Sequence, residues 1–264
     1  MQGSMLETAV LAAREAGSIL LDNLRKPRQT KVKGLRDIVT DADMKAQRAI
    51  IEIIQARFPD HDILSEESDP GAKGQATTTG RSYTWIVDPL DGTTNYSRRL
   101  PFFCTSIALS HQGEVILGVV FDPLRDDLFQ AERGKGAYLN GESLRVSQVG
   151  SLASALVGLD WARAQEKREV IARLVARMAL QIRTLRTLGA AALGLCYVAA
   201  GWLDAYFHFS LRPWDAAAGA LMVQEAGGTA SDFTGHPWQT HSRRCMASNG
   251  LLHDGMLSLL TAEG

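Results

Sequence analysis

Few features of this chain point to anything but packing as the source of its stability. Its three cysteines, Cys104, Cys196 and Cys245, are odd in number, far apart, and outside any CxxC pair. A disulfide framework or zinc site is therefore not expected, and a reducing cytoplasm suits such thiols. No apolar run approaches the ~20 residues of a membrane-spanning helix. No charged segment followed by an apolar core marks a secretory leader. The opening Met1-Gln2-Gly3-Ser4-Met5 reads as a short addition ahead of a start at Met5. An excess of charge is also missing: 28 basic residues face 29 acidic ones, for a net charge of -1. That balance gives no pull toward nucleic acid or an anionic membrane. The basic groups that do occur, Arg25-Lys26 with Arg28, Lys31 and Lys33, and Arg243-Arg244, read as solvated faces. No GxGxxG follows a strand, which removes the usual dinucleotide-binding reading. There is no fixed-period repeat and no low-complexity tract.

What is present is an ordinary globular composition, 45% apolar and 22% charged over 264 residues. That length suits two intimately joined halves, 1–150 and 151–264, in one compact unit with a sizeable core. Leu6, Val10, Ala13, Ala16, Ile19, Leu20 and Leu24 fall at helical spacing, so residues 5–25 predict an amphipathic helix stopped by Pro27. A second helix is expected from Thr40, whose hydroxyl can cap it. Asp41 and Asp43 lie in its first turn, Ile50, Ile51, Ile53 and Ile54 on its buried face, and Pro59 at its end. Ile63-Leu64-Ser65 predicts a short strand, residues 69–82 a flap or plain loop, and 83–87 a strand ending at Asp88. Strands follow at 103–110 and 115–121, then a hairpin turning at Asn140-Gly141. The second half predicts helices at 165–180, 190–200 and 251–261, and one from Pro213 to Gly227-Gly228. Its strands are expected at 182–185, 204–209 and 246–248. Blocks of helix and strand in this order imply a layered α/β or α+β architecture.

The chemistry concentrates in Trp85-Ile86-Val87-Asp88-Pro89-Leu90-Asp91-Gly92-Thr93-Thr94-Asn95. A buried strand delivers two carboxylates, and Pro89 between them stiffens the turn. Gly92 lets backbone approach a ligand. If a helix opens here, its free N–H groups face the same point and can take a phosphate, while the carboxylates take hard cations. Asp-Pro and Asp-Gly alone would mean only a turn. The full string, with paired threonines and a second aspartate, asks for more. Glu66-Glu67 after a short strand and Asp215 at a helix start could complete the site. Each alone would pass for a surface carboxylate or a cap.

The string from Asp88 to Asn95 resembles the first signature of the inositol monophosphatase family. Trp214-Asp215-Ala216-Ala217-Ala218-Gly219, followed by Glu225-Ala226-Gly227-Gly228, resembles the second. Ser65-Glu66-Glu67-Ser68 is similar to the family's Gly-Glu-Glu-Ser element, and 37–43 to its early Asp-x-Val-Thr-x-x-Asp segment. The agreement in order and spacing spans about residues 5–260. The resemblance implies a five-layer alternating α-β-α-β-α sandwich of the sugar/inositol phosphatase type, commonly a homodimer and often lithium-sensitive. It implies two or three Mg²⁺ held by Glu66, Asp88, the Leu90 carbonyl, Asp91 and Asp215. Gly92, Thr93 and Thr94 would meet the phosphate. Asp43 and Thr93 would orient and deprotonate water, assisted by Glu67, with Lys33 close by. Substrate contacts would also fall on Ala190, His208 and Asp215.

Two positions depart from the inositol-specific pattern. His208 stands where many members carry a glutamate that accepts hydrogen bonds from substrate hydroxyls. Histidine is a poorer acceptor and titrates near neutral pH. Ala190 stands where a threonine or serine is usual. Both lie on the leaving-group side. The expected activity is thus magnesium-dependent hydrolysis of inositol 1-phosphate or a similar small ester. Histidinol phosphate, a sugar bisphosphate or a nucleotide 3′-phosphate remain open as substrates. A non-enzymatic regulator of the transcription machinery, as some bacterial members are, is the reading from another class.

Overall fold

The computed structural model describes residues 4–26, 29–67 and 82–261. Pro27, Ser68 and all of the 69–82 loop except Ser82 lie outside the described residues. The chain opens with α1 (Met5–Leu24), then β1 (Thr30–Gly34) and β2 (Asp37–Thr40), an antiparallel hairpin not anticipated from the sequence. Next comes α2 (Asp41–Arg57), where Thr40 and Asp43 form a reciprocal capping box. Of the isoleucines, Ile50 and Ile54 are fully buried, while Ile51 and Ile53 are half-buried.

β3 (Asp62–Ser65) pairs in parallel with β4 (Tyr83–Asp91), and α3 (Thr93–Arg98) follows directly. The expected strand end at Asp88 is corrected: β4 runs on to Asp91, beyond Pro89. β5 (Cys104–His111), β6 (Glu114–Asp122), β7 (Asp127–Glu132), β8 (Gly136–Leu139) and β9 (Glu142–Ser143) then run antiparallel. Asn140 and Gly141 take φ of 49° and 87° at the β8–β9 turn. Positive φ at both positions is what a two-residue hairpin with native twist requires. The order β3-β4-β5-β6-β7-β8-β9 makes a seven-stranded sheet.

The second half contributes β10 (Leu156–Leu159), α4 (Gln165–Met178), β11 (Thr184–Arg186), α5 (Ala191–Ala199) and β12 (Ala205–His208). It ends with α6 (Pro213–Glu225), β13 (Thr229–Ser231), β14 (Cys245–Ser248) and α7 (His253–Thr261). Its five strands lie in the order β11-β10-β12-β14-β13.

Side-chain alternation assigns the layers. Trp85, Val87, Ile107, Leu109, Val119 and Phe121 face α1 and α2. Their neighbours Ile86, Ala108 and Val120 face the other way, onto α5 and α6. Tyr206, Cys245 and Ala247 cover the far side of that helix pair, while Ala205, Phe207 and Met246 pack on α4 and α7. A period of two along each strand thus yields α-β-α-β-α. The middle helices must be apolar all round, and α6 buries every residue from Ala216 to Val223. Gly219 permits their close approach, since a Cβ there would lie 2.5 Å from the Leu195 Cβ. Burying one large apolar side chain stabilises by about 1.5–3 kcal/mol. Among the described residues, no helix is long and apolar enough to cross a membrane.

Candidate active site

Asp88 and Asp91 are three residues apart, which on a regular strand would point them to opposite faces. Asp88 pairs with Ser106 and Asp91 with Cys104, so β4 holds one residue more than β5 between these points. That bulge restores a common side. Asp88 accepts the Leu90 N–H at 3.0 Å. Asp91 Oδ2 accepts the Ala192 N–H at 2.7 Å, which ties it to the first turn of α5.

Glu66 arrives from the end of β3 and Asp215 from the first turn of α6. Carboxylate oxygens of Glu66, Asp88 and Asp215 all lie within 4.8 Å of one another. Asp215 is held by the Arg212 N–H at 2.6 Å. Burial, then the charges of Glu66, Asp91 and Asp215, pushes the Asp88 carboxyl well above the usual range. Burial and then Asp215 do the same to Asp91. Asp215 is raised to about 7 by burial and then by Glu66. Buried like charges so arranged repel, and a divalent cation relieves them. The donors are all oxygen, the set that Mg²⁺ takes. One cation from the protein already touches the edge: Lys33 Nζ is 3.1 Å from Glu66 Oε1 and 2.7 Å from Glu67 Oε1.

Asp43 is buried beneath α3. Its Oδ2 accepts the Thr40 N–H at 2.9 Å and the Thr40 hydroxyl at 2.5 Å. Its Oδ1 lies 3.1 Å from Thr93 Oγ1, which is also 3.0 Å from the Leu90 carbonyl. Burial raises Asp43 to about 6, against the hydrogen bonds from Thr40 and Thr93. Glu67 is raised to about 7, chiefly by burial. Gln47 on α2 fixes that corner: its Oε1 accepts from Ser65 Oγ and the Glu67 N–H, and its amide donates to the Glu67 carbonyl at 2.8 Å.

Gly92 precedes α3 at φ 90°, and a Cβ there would sit 2.7 Å from the Phe102 carbonyl oxygen and 3.3 Å from the Ala190 Cβ. Gly92→Ala is expected to lower stability by more than about 1 kcal/mol and to depress turnover. An unchanged melting temperature would show that the turn tolerates a side chain. Asn95 locks the same turn to the second half, donating to the Phe102 and Leu188 carbonyls at 2.7 Å each.

The family model described as the inositol monophosphatase family matches residues 1–263. The chain belongs to the inositol monophosphatase family. It is 42% identical to the Nus factor SuhB of Escherichia coli K12 over 262 residues, covering 98% of this chain and 96% of that one. Identity to inositol monophosphatase 2 of Solanum lycopersicum is 39% over 258 residues, with 97% of each chain covered. The solved structure of the extragenic suppressor protein suhB from Bartonella henselae superposes with a TM-score of 0.93 at 33% identity, covering 99% of this chain and 100% of that one. Membership in the inositol monophosphatase family supports a phosphatase activity, and the five-layer expectation agrees with the layers above.

Thus Glu66, Asp88 and Asp215 meet, Asp91 lies near enough for its charge to raise Asp88 and for Asp215 to raise it, and Asp43 is bonded to Thr93. Glu67 joins through Lys33, and Ala190 packs against Gly92. Thr94 is exposed, and its carbonyl accepts from Ser97. His208 is corrected in its chemistry. Its Nδ1 accepts the Ser210 N–H at 2.9 Å, and burial with Arg163 and Lys167 nearby pushes its pKa down to about 3. It stays neutral where sequence alone predicted titration near neutral pH.

Sequence reasoning missed Gln47, Asp160 and Arg163. Gln47 was detectable as a polar residue in line with Asp43, Ala46, Ile50 and Ile54 on the buried face of α2. Asp160 accepts from the Gly189 N–H at 2.6 Å and the Tyr206 hydroxyl at 2.9 Å, bracing the approach to α5. No local signal marks it, because both partners are distant in sequence.

Proposed function

We propose that this protein is a magnesium-dependent phosphomonoesterase that hydrolyses inositol 1-phosphate or a similar small ester with water. The convergence of Glu66, Asp88 and Asp215 within 4.8 Å carries the reading. With Asp91 and the Leu90 carbonyl, they would hold two or three Mg²⁺. Bound magnesium supplies positive charge that lowers the pKa of water and offsets the charge of the phosphate. The Gly92 and Thr93 amides would meet phosphate oxygens at the start of α3, with Thr94 beside them. Thr93 has one hydroxyl proton. Donated to Asp43 Oδ1, it leaves a lone pair that can accept from water and aim its oxygen at phosphorus. Asp43 is the proton's destination, with Glu67 nearby. The new P–O bond forms as the ester P–O bond breaks; the alkoxide takes a proton from solvent water to leave as the alcohol, and Asp43 gives its proton back to solvent.

The experiment is phosphate release from a panel of esters with and without Mg²⁺. Magnesium-dependent release is expected, and no release from any ester would end the enzyme reading. The family resemblance further supports a homodimer, lithium inhibition, a cytoplasmic setting, and residues 1–150 and 151–264 acting as halves of one unit. The name of the Escherichia coli relative, Nus factor, favours a regulatory role beside catalysis. Salt-dependent retention of RNA by the pure protein would support it.

A further inference from the structure

Three successive buried side chains at the start of β5 each reach a different part of the acidic cluster. Cys104 Sγ lies 3.8 Å from Asp91 Oδ2. The Thr105 hydroxyl donates to the Pro89 carbonyl at 3.0 Å, and the Ser106 hydroxyl to the Trp214 carbonyl at 3.3 Å, one residue before Asp215. Thr105 grips the bulge itself. It stands opposite Pro89 and Leu90, the two residues left between the Asp88–Ser106 and Asp91–Cys104 pairs. It is fully buried, on the strand face that Phe103 and Ile107 share. The Pro89 carbonyl and the Leu90 N–H belong to one planar peptide unit and point in opposite directions. Thr105 holds the carbonyl end, and Asp88 Oδ1 accepts the N–H end at 3.0 Å. The next carbonyl, that of Leu90, lies 3.0 Å from Thr93 Oγ1. A rotation of the Pro89–Leu90 plane therefore takes away the anchor of Asp88 and tilts the Leu90 carbonyl.

We propose that Thr105 is a positioning residue for the cation site: its hydroxyl fixes the plane of the bulge and so aims the Asp88 carboxylate and the Leu90 carbonyl. This rests on the magnesium reading above. Groups that hold a metal's ligands in place without touching the metal set its affinity, because the ion need not order those ligands itself. Strand packing alone asks for no hydroxyl here, since valine fits a buried, pleated position equally well. Burying a hydroxyl costs stability unless it finds a partner, and the partner here is the one carbonyl that controls the bulge.

The test is the magnesium affinity of the metal-free protein, read by calorimetry for the natural chain, Thr105→Val and Thr105→Ser, beside the melting temperature of each. Thr105→Val keeps the shape and removes the hydroxyl, and its magnesium Kd is expected to rise about tenfold. Thr105→Ser keeps the hydroxyl and loses a buried methyl. It should melt below the natural chain, as a small cavity requires, yet bind magnesium nearly as well. A purely structural threonine would instead leave affinity unmoved, or let it follow the melting temperature. Undiminished binding in Thr105→Val, or binding weakened equally in Thr105→Ser, overturns this inference and leaves the magnesium site standing. No binding by the natural chain overturns both readings. If Thr105→Val does not fold, Thr105→Ala, which also lacks the hydroxyl, carries the same expectation and the same refutation.

Discussion

Asp91→Asn is expected to cut magnesium-dependent phosphate release by roughly a thousandfold while raising the melting temperature of the metal-free protein. The first effect follows if a carboxylate that holds a cation is worth several kcal/mol at the transition state, each 1.36 kcal/mol being about tenfold. The second follows from the electrostatics. Asp91 is buried against Asp215, and both carboxyls are raised. An amide removes the repulsion while its oxygen still accepts the Ala192 N–H. A gain of about 1 kcal/mol moves the melting point by about 2–4 °C in a chain of this size. The site trades stability for function. Lower activity with a lower melting point would mean that Asp91 is structural.

The same repulsion gives the metal-free protein a distinct pH profile. A carboxyl whose folded pKa is raised binds its proton more tightly folded than unfolded. Its stabilising effect is fully present below its unfolded pKa near 4 and is lost as pH rises through the folded value. Asp43 at about 6, with Glu67 and Asp215 at about 7, act in this direction, as do Asp88 and Asp91. Metal-free stability should therefore fall between about pH 4 and pH 7. Magnesium competes with those protons, so its stabilisation should grow over the same range. Thermal melts at several pH values, with and without Mg²⁺, read both slopes.

Asp43→Asn and Thr93→Ala are each expected to lower kcat by roughly 10²–10⁴ with magnesium affinity retained. The pair shares one proton at 3.1 Å, so it acts as a unit. The double variant should then be little worse than the poorer single one. Losses that multiply would show two independent roles.

Where the residues themselves carry the instruction, the sequence was legible. Thr40 and Asp43 announce a cap, Asn140-Gly141 a hairpin, and Pro213 a helix start, and all three appear. The continuation of β4 past Pro89 was not legible. Proline lacks an N–H and reads as a strand end, yet a bulge carries the strand on to Asp91. The β1–β2 hairpin escaped notice because β1 is exposed at every position and has no buried alternation. Its lysines by themselves read as solvated charge; only the family resemblance put Lys33 close to the site, where it pairs with Glu66 and Glu67. The tautomer of His208 was hidden too, being set by the Ser210 N–H in three dimensions.

Calorimetric titration of the metal-free protein with magnesium addresses the centre directly. Saturable binding is expected for the natural chain, weakening sharply in Asp88→Asn and Asp215→Asn, each still folded by circular dichroism. Binding that is absent in the natural chain, or undiminished in both variants, would contradict a cation site built from Glu66, Asp88, Asp91 and Asp215.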